Sequence, residues 1–202
     1  MTAPATVAAV ILAAGRSSRM GHPKLLADVG GTPMLRRVVQ AALGSPARPI
    51  LVVTGHEAAA VAHSLEGLDV GLVHNAEFAA GLSTSLKAGI AALPAGIDGA
   101  VVLLGDMPQV TAAHISALLA AFAPGLVVVP VHAGRRGNPI LWPREAFARI
   151  ASLSGDAGAK RLLAEFADLV REVEIASPAI FRDIDTPEAL AALRAEIAPP
   201  GD

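Results

Sequence analysis

Residues 7–24 read Val7-Ala8-Ala9-Val10-Ile11-Leu12-Ala13-Ala14-Gly15-Arg16-Ser17-Ser18-Arg19-Met20-Gly21-His22-Pro23-Lys24. The stretch begins as an unbroken apolar run and turns abruptly into glycine, hydroxyls and cations. A continuous run of this kind marks a strand covered on both faces, whereas strict alternation would mark a strand with one wet face. Similar runs recur at Ile50–Thr54, Val70–His74, Ala100–Leu104, Leu126–Pro130, Pro139–Trp142 and Leu169–Ile175. Segments of helical period lie between them, at Pro33–Leu43, Glu57–Leu65, Ser83–Leu93, Ala112–Phe122, Arg144–Ile150, Ala157–Phe166 and Pro187–Ile197. Repeated β–α alternation predicts an α/β domain with a mostly parallel sheet and helices on both faces. Thr32-Pro33, Thr111 and Thr186-Pro187 are the predicted helix starts, with Thr as N-cap and Pro, where present, at the first helical position.

Composition agrees with that class. Of the 202 residues, 53% are hydrophobic but only 3% aromatic, so the core must be built from Ala, Val, Leu and Ile. The length suits a single domain, 1–202, with an ordered core over about 6–197. A net charge of -2 argues against a partner that is nucleic acid. The lack of cysteine excludes disulfides, thiolate metal sites and a Cys nucleophile. No Lys or Arg precedes the apolar run at Val7, and no apolar stretch is long enough to span a bilayer. The expectation is a cytoplasmic protein with no membrane partner.

In such a sheet, ligands bind beyond the carboxyl ends of the strands, which directs attention to the loop after Ala14. Gly15 and Gly21 let backbone approach a ligand, and successive N–H groups there form an anion nest. Ser17 and Ser18 add hydroxyls, and Arg16, Arg19 and Lys24 add mobile positive charge, the combination that a triphosphate requires. A solvated polar turn is the simpler alternative. A P-loop is excluded because no Gly-Lys pair is present, and the dinucleotide fingerprint fails because Ala13 and Ser17 flank Gly15 where glycines are needed. Asp106 lies just beyond the run Ala100–Leu104, so its carboxylate is expected in the ligand crevice. No pair of the six histidines has zinc-ligand spacing.

Leu12-Ala13-Ala14-Gly15 with Ser18-Arg19-Met20-Gly21 and Pro23-Lys24 resembles the signature loop of the MobA-like nucleotidyltransferases, and most nearly that of molybdenum cofactor cytidylyltransferases. The resemblance continues at Gly81–Leu86, Leu104–Pro108, Arg136–Pro139, Gly155–Ala159 and Asp183–Pro187. It implies a single-domain, Rossmann-like three-layer αβα sandwich of the nucleotide-diphospho-sugar transferase type. It also implies transfer of CMP from CTP to the terminal phosphate of Mo-molybdopterin, with release of pyrophosphate. On this resemblance the nucleotide is held by Leu12, Ala13, Ala14, Gly15, Arg16, Ser17, Ser18, Arg19, Lys24, Ser83, Ser85 and Gly105. Arg19, Lys24 and Asp106 are catalytic. Asp106 and Asp185 hold Mg²⁺, with Asp183 a rival for the metal and helix capping an alternative role for Asp185. Arg136, Gly137, Asn138 and Pro139 face the acceptor, and Gly155, Asp156 and Lys160 close the site, with a helix start an equal alternative for Asp156. An apo-molybdoenzyme of the xanthine dehydrogenase type is the implied recipient.

Two departures bear on specificity. Ala14 stands where guanylyl-transferring relatives tend to have glycine, which favours cytosine. Asn138 stands where cytidylyl enzymes commonly have histidine, which leaves the acceptor open. The competing readings are a different nucleotide or acceptor, such as GTP or a sugar or alcohol phosphate, an NAD(P)H-linked oxidoreductase on the same fold, and a non-catalytic module that hands on the molybdenum cofactor.

Overall fold

A computed structural model describes residues 5–16, 20, 23–153 and 158–197. The run at the N-terminus forms β1 (Val7–Ala13), every residue of which is buried. Its side chains separate by parity. Ala9, Ile11 and Ala13 enter one apolar cluster with Leu35, Val38 and Ile115, while Val10 and Leu12 enter another with Leu86, Ile90 and Ile150. A strand feeding two cores has no polar position to spare, which is why its sequence does not alternate.

Around β1 the sheet builds in both directions. β2 (Ile50–Thr54) and β4 (Gly99–Leu104) flank it in parallel, and β3 (Gly71–His74) adds to β2 as the edge. Beyond β4 lies β7 (Ile140–Pro143), antiparallel to it and to β5 (Val127–His132). β5 also pairs with the two-residue β6 (Arg135–Arg136) and, in parallel, with β8 (Val170–Glu174). The order β3-β2-β1-β4-β7-β5-β6, with β8 on β5, makes one mostly parallel sheet of eight strands.

Helices α1 (Met34–Leu43) and α4 (Ala112–Ala120) supply the first core. Helices α3 (Leu82–Ala91), α5 (Phe147–Ala151) and α6 (Gly158–Glu165) cover the other face. α2 (Ala58–Ser64) joins β2 to β3 and adds Val61 to the first core. α7 (Pro187–Ile197) docks through Leu190 and Leu193 onto Met20, Val29, Met34 and Ile184. Trp142 is fully buried, in keeping with a core residue. Among the described residues no helix is long and apolar enough to cross a membrane.

Three local expectations need correction. Pro33 is itself the N-cap of α1 and Thr32 does not cap it, because the Met34 N–H is already taken by the Ala27 carbonyl at 2.9 Å. Arg144–Ile150 is a 3-10 turn (Arg144–Ala146) leading into α5 rather than one helix. β6 was not expected at all, being two exposed arginines after a turn with positive φ at Ala133 and Gly134. Thr111 and Thr186 do cap, accepting from the His114 and Ala189 N–H groups at 3.3 and 3.2 Å.

Candidate active site

The register of the sheet brings the ends of β1 and β4 together. Leu12 lies opposite Leu104, and the Gly105 N–H donates to the Leu12 carbonyl at 3.0 Å. A Cβ on Gly105 would stand 3.0 Å from that same carbonyl, so glycine allows the two strand ends to close. The chain then turns, and the Asp106 carboxylate emerges beside the segment that follows β1. At this edge lies a cleft of about 670 Å³, whose wall includes Leu12, Ala14, Gly15, Arg16, Lys24, Ser85, Asp106 and Asp185.

An ion cluster occupies one end. The Lys24 ammonium, on a short 3-10 turn (Lys24–Leu26), donates to Asp106 Oδ2 at 2.6 Å and also to Asp185 Oδ1. Its side chain is only 12% exposed. Burial alone would lower its pKa, but the charge of Asp106 and hydrogen bonds to both carboxylates hold it above its ordinary value. The second oxygen of Asp106, Oδ1, is buried without a hydrogen-bond partner. Asp185 comes in on the segment before α7, which the Ile184 N–H ties to the Asp106 carbonyl at 2.9 Å. Thr186 performs the capping there, and Asp183 is not part of the cleft wall.

Leu25, Leu82 and Leu104 add apolar lining to the cleft. Phe78 lines it, with the Arg16 guanidinium 5.4 Å from its ring centre and the His56 ring 6.1 Å away. A Cβ on Gly55 would meet the Cβ atoms of Phe78 and Ala14 at 2.6 and 2.8 Å, so Ala14 and Phe78 stand in one wall that only glycine permits.

A description of the MobA-like NTP transferase domain matches residues 9–172. The chain belongs to this family. It is 34% identical over 190 residues to the purine catabolism protein PucB of Bacillus subtilis, spanning 89% of this chain and 91% of that protein. It is 28% identical to the nicotine blue oxidoreductase of Paenarthrobacter nicotinovorans, spanning 91% and 94%. Among solved structures, a nucleotidyl transferase from Methanothermobacter superposes with a TM-score of 0.83 at 26% identity, covering 95% of this chain and 97% of that one. Rv0371c of Mycobacterium tuberculosis in complex with manganese gives 0.80 at 27%, covering 96% and 100%.

The structure thus gathers Leu12, Ala14, Gly15, Arg16, Lys24, Ser85, Asp106 and Asp185 in one cleft of this MobA-like chain. Ala13, Gly105 and Ser83 are buried and not in the cleft wall, and the Ser83 hydroxyl has no hydrogen-bond partner. Ser17, Ser18, Arg19, Gly21, His22, Gly155 and Asp156, and the Lys160 side chain, fall outside the described residues. The expected acceptor residues are not part of the cleft wall. Arg136 pairs instead with Glu172 at 2.7 Å, and Gly137 is pressed against Ile180. They do sit at the same edge of the sheet: β7 runs antiparallel to β4, so its start, next to Pro139, lies by the end of β4. Sequence reasoning missed Phe78 and Asn75; neither stands in a motif, and only the packing against Gly55 and the start of α3 gives them away.

Proposed function

We propose that this chain transfers a cytidylyl group from CTP to the terminal phosphate of Mo-molybdopterin, releasing pyrophosphate. The observation that carries the reading is the pair Asp106 and Asp185 sharing one ammonium at the end of a cleft walled by Gly15 and Ser85. The donor set fits a hard divalent cation. Two carboxylates already attract a cation between them, and the buried Oδ1 of Asp106 lacks a partner that a metal would supply. Among the described residues no third acidic or histidine ligand joins them, which leaves positions for phosphate oxygens and water. Mg²⁺ held by Asp106 and Asp185 would neutralise triphosphate charge.

The chain's own residues do the rest by positioning. Backbone around Gly15 and the Arg16 and Lys24 cations hold the triphosphate, and the Phe78 end of the cleft receives the base. An oxygen of the acceptor phosphate then bonds to the α-phosphorus of CTP while the bond to the β-phosphate oxygen breaks, and the electron pair leaves with pyrophosphate. The acceptor is ionised already, so no general base is needed. Asn138, Gly137, Pro139 and Arg136 lie at the strand edge where the acceptor would approach, and a xanthine dehydrogenase-type apo-enzyme would receive the product.

The test is a pyrophosphate-release assay with each of four nucleotides, with and without molybdopterin. Release that requires both CTP and molybdopterin supports the reading; release with GTP or a sugar phosphate alone refutes the assigned pair of substrates. The likeness to nicotine blue oxidoreductase favours a second reading, redox chemistry in the same cleft. NADPH consumption without pyrophosphate release would select it.

A further inference from the structure

Ser85, in the cleft wall, ends a hydrogen-bond relay whose direction can be deduced. Asn75 follows β3 and is 5% exposed; its N–H extends the β2 pairing by donating to the Thr54 carbonyl at 2.8 Å. Its side-chain oxygen accepts from the Glu77 N–H at 3.0 Å. A backbone N–H can only donate, so this bond fixes which way the amide faces. The Asn75 NH₂ must therefore point to the hydroxyls of α3, and it donates to Thr84 Oγ1 at 2.9 Å and Ser85 Oγ at 3.0 Å. Thr84 passes its own proton to the Gly81 carbonyl at 2.8 Å. Ser85 has no acceptor among the described residues, is 3% exposed, and lines the cleft. With a lone pair engaged by Asn75, its hydroxyl is set to donate.

We propose that Asn75 is a positioning residue that holds Ser85 as a hydrogen-bond donor to the 2-carbonyl oxygen of a cytosine base lying in the cleft against Phe78. This deepens the reading of the cleft as a cytidine nucleotide site and rests on it. Cytosine carries a carbonyl beside a ring nitrogen lone pair, an all-acceptor edge that suits a buried donor. Guanine also offers an all-acceptor edge at O6 and N7, so the donor alone does not exclude it and its rejection falls to the Ala14 methyl. The Ala14 methyl stands in the same wall as Phe78, so specificity is set by a donor, an aromatic face and a methyl group together.

Replacing Asn75 by aspartate keeps the acceptor for Glu77 but removes the donor, so Ser85 turns its proton towards the new carboxylate and offers the cleft a lone pair instead. Calorimetric binding in the presence of Mg²⁺ is measured for CTP, 2-thio-CTP, GTP and inorganic triphosphate, using wild type, Asn75→Asp and Ser85→Ala. Wild type is expected to prefer CTP over its 2-thio analogue, a poor acceptor, by about tenfold. In both variants that ratio should fall to near one. The charge added by Asn75→Asp weakens all ligands alike, so the ratio is the readout, and Ser85→Ala should leave triphosphate affinity unchanged. A ratio that survives in either variant, or a wild type indifferent to the 2-thio substitution, overturns the assignment while leaving CTP binding intact. A wild type that takes up triphosphate but prefers GTP, or binds no nucleotide, removes the cytidine reading and this proposal with it. If Asn75→Asp fails to fold, Asn75→Ala, which leaves Ser85 without its orienting donor, is read by the same ratio.

Discussion

Replacing Lys24 by methionine should tighten binding of a divalent metal to the free protein while weakening binding of metal–nucleotide. The first half is counterintuitive for a residue assigned to catalysis, and it follows from where the ammonium sits. Lys24 donates to Asp106 and to Asp185 at once. A metal entering without nucleotide must displace that ammonium from both carboxylates. Two hydrogen bonds to one nitrogen put the carboxylate oxygens within roughly 5–6 Å of each other. Without the ammonium, two unit charges at about 5 Å repel by about 1–3 kcal/mol for an effective dielectric of roughly 20–80. The Asp185 side chain is 37% exposed, which screens the pair and favours the lower part of that range. Relief of about 1–2 kcal/mol corresponds to roughly 5–30-fold in metal affinity.

Mn²⁺ is a suitable probe, since loss of its free electron-spin signal reports binding directly. The expected result is tighter Mn²⁺ uptake by Lys24→Met than by wild type, reversed when Asp106→Asn is added. Metal–CTP affinity and pyrophosphate release should move the other way, because the phosphates lose a cation. The pH matters little near neutrality. Lys24 is raised from its ordinary 10.5, so its ion pairs are fully formed below that value and are lost only as pH climbs through the raised one. Unchanged or weaker Mn²⁺ binding in a folded Lys24→Met protein would refute the view that the ammonium stands in the metal's place.

Asp106→Asn should reduce pyrophosphate release by about 10²–10³-fold while the fold persists by circular dichroism. Gly137→Ala should lower stability by about 1–3 kcal/mol in denaturant unfolding, because its Cβ would stand 2.5 Å from the Ile180 carbonyl, a backbone atom that cannot rotate away. His114 accepts from the Thr111 N–H through Nδ1 at 3.3 Å, and burial lowers its pKa from 6.5, so stability is complete above that value and declines as pH falls below it. Thermal melts of His114→Ala should lose this slope, whose size is bounded by a capping contribution of roughly 1 kcal/mol.

The strands were legible in the sequence because burial on both faces removes polar residues from them: Ile50–Thr54 is both the apolar run and the observed β2. That Arg16, Lys24 and Asp106 would share one edge was legible because parallel strands with matched register bring their following residues together. What failed depended on contacts distant in sequence. Lys24 meets partners 82 and 161 residues away, and no local pattern announces that this loop lysine will bind two carboxylates. β6 failed for the opposite reason, since two charged, exposed residues carry no apolar signal and pair only because the turn at Gly134 returns them to β5. Asn75 and Phe78 gave no signal at all; one is a single amide and the other a single ring, each given meaning by its neighbours.

The segment from Ile180 to Asp185 ties the 136–139 loop to the cleft. Its first carbonyl accepts from the Asn138 N–H at 2.9 Å, and near its end the Ile184 N–H donates to the Asp106 carbonyl at 2.9 Å. It therefore straps the loop after β6 to the loop after β4, and it delivers Asp185 to the ion cluster one residue later. Gly137 fits beneath this strap only because it has no side chain. One hydrogen bond thus joins Asn138 to this segment and another joins the segment to Asp106, so the 136–139 loop, proposed for the acceptor, and the two proposed metal ligands share one strap.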